Sequence, residues 1–66
     1  MISNQNDRVK ALVMTTELLL ENALHFIRLL KDSGMQSAGL CVQANEQARP
    51  VPNLIDELVS ILQSQE

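Results

Sequence analysis

The stretch Ala11 to Leu30, ALVMTTELLLENALHFIRLL, limits most strongly what this chain can fold into. Val9, Val13, Thr16, Leu20, Ala23, Ile27 and Leu30 follow alternating spacings of four and three, the pattern of a coiled-coil seam with one polar member. Leu12, Leu19 and Phe26 form a second row repeating every seven residues, and Met14, Leu18, Leu24 and Leu29 add further apolar surface. The polar stripe of Lys10, Glu17, Glu21, His25, Arg28 and Asp32 is narrow. A helix with so little polar circumference needs contacts on more than one side. Asn4 or Asn6 would cap its start, with Asp7 near the positive end of the helix dipole. Gly34 would end it in a left-handed conformation, with Lys31 in the last turn. The expected helix covers residues 5–33, a rod of about 40 Å.

The rest of the chain is harder to read. Met35 to Arg49 can form a short helix with Ala38, Leu40, Cys41, Val42, Ala44 and Ala48 on one face, or a linker with an extended piece at Leu40 and Val42. Gly39 weakens the helical option by roughly 1 kcal/mol relative to Ala. In RPVPN each proline biases its predecessor toward extended geometry, so Arg49 and Val51 are expected to be non-helical. A last helix over residues 53–64 follows, with Asn53 as N-cap and Asp56 and Glu57 in the first turn. Leu54, Ile55, Leu58, Val59, Ile61 and Leu62 give it a wide apolar face along about 18 Å. A rod of that length cannot cover both sides of the first helix. Two copies of the first helix packed along the Val9–Leu30 seam would supply the missing cover, with the shorter helices over the second row.

Length and composition favour the same solution. A single domain spanning all 66 residues buries only about 60% of its unfolded surface, and chains of this size often depend on disulfides, metals or oligomerisation. Cys41 is the sole cysteine and His25 the sole histidine, so an intrachain disulfide is excluded and a zinc site is disfavoured. Apolar residues make up 45% of the chain, but Phe26 is the only aromatic. Packing by Leu, Ile, Val, Met and Ala suits helices better than sheets. The expected fold class is therefore all-α: a long N-terminal helix, a short C-terminal helix, an optional short middle helix, and a helical bundle completed by dimerisation.

The formal net charge of −3 is unevenly placed. Charges cancel through Ser33, whereas beyond Gly34 Glu46, Asp56, Glu57 and Glu66 face only Arg49. A concentrated basic footprint for phosphates is missing, so no nucleic-acid partner is expected. Ala11–Leu30 has the length of a membrane span, but Glu17, Glu21, Asn22, His25 and Arg28 interrupt it. Each central charge would cost about 2.5–3.5 kcal/mol on insertion, so no membrane partner is expected either. Met1 to Asp7 is polar and lacks the basic segment of a secretory leader. Together with the lone thiol, this suggests a cytoplasmic location.

No residue pattern signals catalysis, a cofactor or a metal. Glu21 and His25 lie one turn apart and read as a surface pair. Glu17 and Glu21 occupy the only polar stripe, which favours solvent over a buried metal site. Cys41 reads as a small buried apolar residue, since nothing nearby would lower its thiol pKa. Thr16 either sets seam register or bonds back to the carbonyl four residues earlier. The last helix either folds back onto the first or docks in the groove of another protein.

RPVPNLIDELVSIL resembles the second half of the docking-and-dimerisation hairpin of cyclic-AMP-dependent kinase regulatory subunits, where a proline pair precedes an apolar–acidic helix. Here Val51 separates Pro50 from Pro52 and the aromatics of that helix are absent. DELVSIL is similar to the C-terminal docking helices of modular polyketide synthase subunits. Both resemblances imply dimeric helical adaptors. The expected function is a non-enzymatic protein–protein interaction module: an adaptor, docking element, small chaperone or regulator that forms a homodimer and binds a protein partner. Its expected interface comprises Val9, Leu12, Val13, Thr16, Leu19, Leu20, Ala23, Phe26, Ile27, Leu30, Leu54, Leu58, Ile61 and Leu62. The alternative is a small dimeric DNA-binding transcriptional regulator using Arg8, Lys10, Arg28, Lys31 and Arg49.

Overall fold

A computed structural model describes residues 2–65, and all its regular structure is helical: α1 (Ile2–Asp32), α2 (Ala38–Ala48) and α3 (Val51–Ser64). The chain runs up α1, reverses once, and returns along it through α2 and then α3. α1 alone would span about 46 Å at 1.5 Å per residue, which accounts for most of the 50 × 15 × 14 Å extents.

The reversal is built as the Gly34 signature implies. Gly34 has φ +85°, its N–H donates to the Lys31 carbonyl at 3.2 Å, and the Met35 N–H donates to the Leu30 carbonyl at 2.8 Å. These two bonds form a Schellman motif that satisfies carbonyls the helix end would otherwise leave open. Met35 follows with φ 62°, so two successive left-handed residues turn the chain. Ser37 then caps α2, its side-chain oxygen accepting the Leu40 N–H at 3.3 Å. Replacing Gly34 by Ala should cost about 1 kcal/mol in chemical denaturation, from backbone strain alone, because a Cβ there meets nothing within 4 Å. Gly39 lies inside α2 with only the Ser37 Oγ nearby, at 3.8 Å. Gly39→Ala should therefore stabilise by about 0.5 kcal/mol, and equal signs for the two substitutions would contradict this backbone assignment.

Several expected boundaries shift. The first helix begins at Ile2, so Asn4 and Asn6 lie inside it rather than capping it, and Asp7 is beyond the first turn. The middle segment takes the helical alternative. α3 starts at Val51, not Asn53, and neither Asp56 nor Glu57 falls in its first turn. Pro52 sits within that first turn, where a missing N–H leaves no intrahelical bond unmade, so its bias against a helical Val51 is overcome. Arg49 is helical in its dihedrals as well, at φ −53° and ψ −46°, and Pro50 follows at φ −79° and ψ −7°. The break therefore bends the return arm without reversing it.

That near-helical junction has a packing consequence. Ser37, Leu40, Ala44, Gln47, Val51, Leu54, Leu58 and Ile61 continue an alternating three–four spacing straight across the prolines, and none of them is exposed. On α1 the matching inner row is Val9, Leu12, Thr16, Leu19, Ala23, Phe26 and Leu30, also without an exposed member. α2 and α3 together form a return arm nearly as long as α1. As the lengths imply, the return arm covers one side of α1 only, but the covered row is not the expected one: Leu12, Leu19 and Phe26 turn inward with Val9, Thr16, Ala23 and Leu30, and Val13, Leu20 and Ile27 stay exposed. The core remains thin. Ala44, Val51 and Thr16, each 7% accessible, are the only buried residues among those described, and no large side chain is fully enclosed. Complete burial of a Leu or Ile contributes about 1.5–3 kcal/mol, and none here reaches that limit.

Candidate interaction face

The two inner rows define heptad positions a and d, and the rest of each helix can be placed around them. In an antiparallel pair the e rows of both arms flank the seam on one side and the g rows flank it on the other. The g side is mostly polar, with Leu29 its one large apolar member, and is tied across. Arg8 on α1 forms a salt bridge with Glu57 on α3. Asn22 donates from its side-chain amide to the Gln47 side-chain oxygen at 3.3 Å. The ion pair is largely exposed, so it fixes register more than it adds stability. The two bridges also set levels along the rod: Arg8 lies level with Glu57, Asn22 with Gln47, and Thr16 with Val51 midway between them.

Among the described residues the e side shows no such tie. Its row on α1 is Val13, Leu20 and Ile27, and on the return arm Cys41, Ala48, Ile55 and Leu62. The five large apolar members are uncovered, from 40% accessible at Val13 to 48% at Leu62. Leu24 and Val59, one row further out, extend the same face and are 46% accessible each. Among the described residues twelve large apolar side chains are exposed, and these seven fall on one side of the hairpin, so the exposure is organised. Met14, Leu18, Leu29, Met35 and Val42 lie elsewhere.

The expected interface list therefore divides. Val9, Leu12, Thr16, Leu19, Ala23, Phe26, Leu30, Leu54, Leu58 and Ile61 turn into the intrachain seam. Val13, Leu20, Ile27 and Leu62 lie on the uncovered face. Leu24, Ile55 and Val59 belong to that face and were absent from the list; their signal was a three–four spacing shared with the e rows. The last helix folds back along α1 with its inner face and leaves Ile55, Val59 and Leu62 outward.

Thr16 takes the local alternative. Its hydroxyl donates to the Leu12 carbonyl at 2.7 Å, so a buried polar group is satisfied within its own helix and asks nothing of a partner. Cys41 is exposed, not buried as its type suggested, because it belongs to the e row. His25 packs edge-on against Phe26, with centroids 5.6 Å apart, and makes no ion pair with Glu21 among the described residues. A depression of about 370 Å³ is lined by Met14, Thr15, Glu17, Leu18 and Glu21, all from one helix, so it gathers no groups from separate elements.

Among the described residues no three of His, Cys, Asp and Glu are grouped to hold a metal, and no helix is long and apolar enough to cross a membrane. The five cations are dispersed, with Arg8 paired to Glu57 and Arg49 near Glu46 at 3.8 Å. No protein-family model matches the chain, and no curated protein or solved structure does so either.

Proposed function

We propose that this chain is a small non-enzymatic protein–protein interaction module that works through apolar helix faces and assembles as a homodimer. The observation that carries the reading is the one-sidedness of the hairpin. Its g side is mostly polar and bridged, with Leu29 the one large apolar residue in the row, while its e side presents Val13, Leu20, Leu24, Ile27, Ile55, Val59 and Leu62 to solvent. A contiguous apolar patch of this kind on a small protein marks a surface that another protein covers. Covering it would complete an a/d/e core, the wider apolar face of bundle helices as opposed to a two-stranded seam. An adaptor or docking role follows from the same face, since a helical partner can occupy it.

Sedimentation equilibrium across the micromolar range tests this reading. A dimer is expected, accompanied by slower alkylation of Cys41 as protein concentration rises, because that thiol lies on the face. A monomer at every concentration, with Cys41 reacting at a constant rate, would remove the homodimer. Retardation of a mixed DNA pool with steep salt dependence would instead favour the regulator.

A further inference from the structure

Given that homodimer reading, we infer how the second copy sits: α1 of one protomer lies along α2–α3 of its partner, producing a four-helix bundle in which every neighbouring pair is antiparallel. Surface area supports a second copy as the occupant. A compact chain of 7.3 kDa should expose about 4,200 Å², whereas this one exposes 5099 Å². The excess of about 900 Å² resembles the roughly 800 Å² each partner contributes to a standard interface. The radius of gyration points the same way, at 15.3 Å against about 11 Å for a compact chain of this length.

Twofold symmetry leaves two ways to join such faces. An axis running across the rods stacks α1 on the partner's α1, in opposite directions. An axis along the rods stacks α1 on the partner's return arm. The charges bordering the face on α1 are Lys10, Glu17, Glu21, Arg28 and Lys31, an order that reads almost alike in both directions. Stacking α1 on α1 would set Glu17 and Glu21 against the same two carboxylates of the other copy, and Lys10 against the other copy's Arg28 and Lys31. Like charges placed opposite each other oppose association. Stacking α1 on the return arm keeps the levels seen within one protomer. Lys10 then meets Asp56, one residue before the Arg8 partner Glu57, and Glu17 meets Arg49 beside the mid-rod level of Val51. Opposite charges face each other at both places.

Two single reversals, Glu17→Lys and Arg49→Glu, test the arrangement. Each homodimer would carry two repulsive contacts, and its dissociation constant at low salt should rise about tenfold. Mixing the two variants makes both contacts attractive again, so a heterodimer of near wild-type affinity should form, read by energy transfer between differently labelled chains. Circular dichroism of each variant alone checks that helicity is kept; Lys10→Glu mixed with Asp56→Lys provides a second, independent pair. Tighter association of Glu17→Lys alone, or no gain on mixing while the wild type dimerises, would overturn the arrangement. A wild type that stays monomeric would overturn the underlying dimer as well, so the two failures are distinguishable.

Discussion

Ala44→Asp should unfold the hairpin. Ala44 is 7% accessible in the middle of α2, and the register set by Asn22 and Gln47 places it level with Ala23 of α1. Two alanines at one level let the helix axes approach closely, leaving little volume for a larger group. An aspartate there replaces the best helix former, crowds the seam and buries a carboxylate with no cation on either inner row. The combined cost is about 3 kcal/mol or more, comparable to the entire stability of many domains this small. The expected result is loss of the 222 nm circular dichroism signal at room temperature. Asn45→Asp, one residue along but exposed, should leave the melting curve nearly unchanged. A cooperative melt of Ala44→Asp within a few degrees of the wild type would mean that α2 does not pack by this face.

Leu20→Asp should have a different effect. Leu20 is 47% accessible and points away from the seam, so the single hairpin loses little by the change. In the proposed dimer two copies of the aspartate would be buried, and the dissociation constant should rise at least about a hundredfold. The comparison with Leu18→Asp is decisive, because Leu18 is still more accessible, at 58%, but lies on the opposite side of α1. Leu18→Asp should leave the mass in sedimentation unaltered. Stability follows by linkage: the wild-type melting temperature should climb with protein concentration, and that of Leu20→Asp should not. Equal effects of the two substitutions would mean that the apolar surface is not organised into a face.

Much of the fold was legible in the chain. The length of α1 followed from its unbroken apolar periodicity, and its end followed from Gly34, whose backbone takes the left-handed geometry expected of it. The boundaries that moved did so for local reasons. Asn4 and Asn6 have the chemistry of caps, yet the helix continues upstream of both. Asn53 likewise looked like the start of α3, but Pro50 and Pro52 initiate a helix as readily as they interrupt one. The face itself was only half legible. Val13, Leu20 and Ile27 were placed in the expected interface on the assumption that they shared a seam with Val9 and Thr16. The seam instead takes Leu12, Leu19 and Phe26, and the e row is left outside. Cys41 was misplaced for the same reason, since a small apolar residue suits a buried row and an uncovered e row equally well.

By itself the sequence determined that this chain would be helical, that α1 would be apolar on more than one side, and that it would end at Gly34. Tertiary structure decided which rows are covered. The return arm has one continuous a/d row, from Ser37 to Ile61, carried through Arg49 and Pro50 by helical backbone dihedrals. One row can pair with only one seam of α1, and it is held there by Arg8–Glu57 between the two g rows and by Asn22 of the g row bonding to Gln47 of the inner row. The e rows of both arms are thereby left together on a single apolar face, because two paired rods cover only one side of each other.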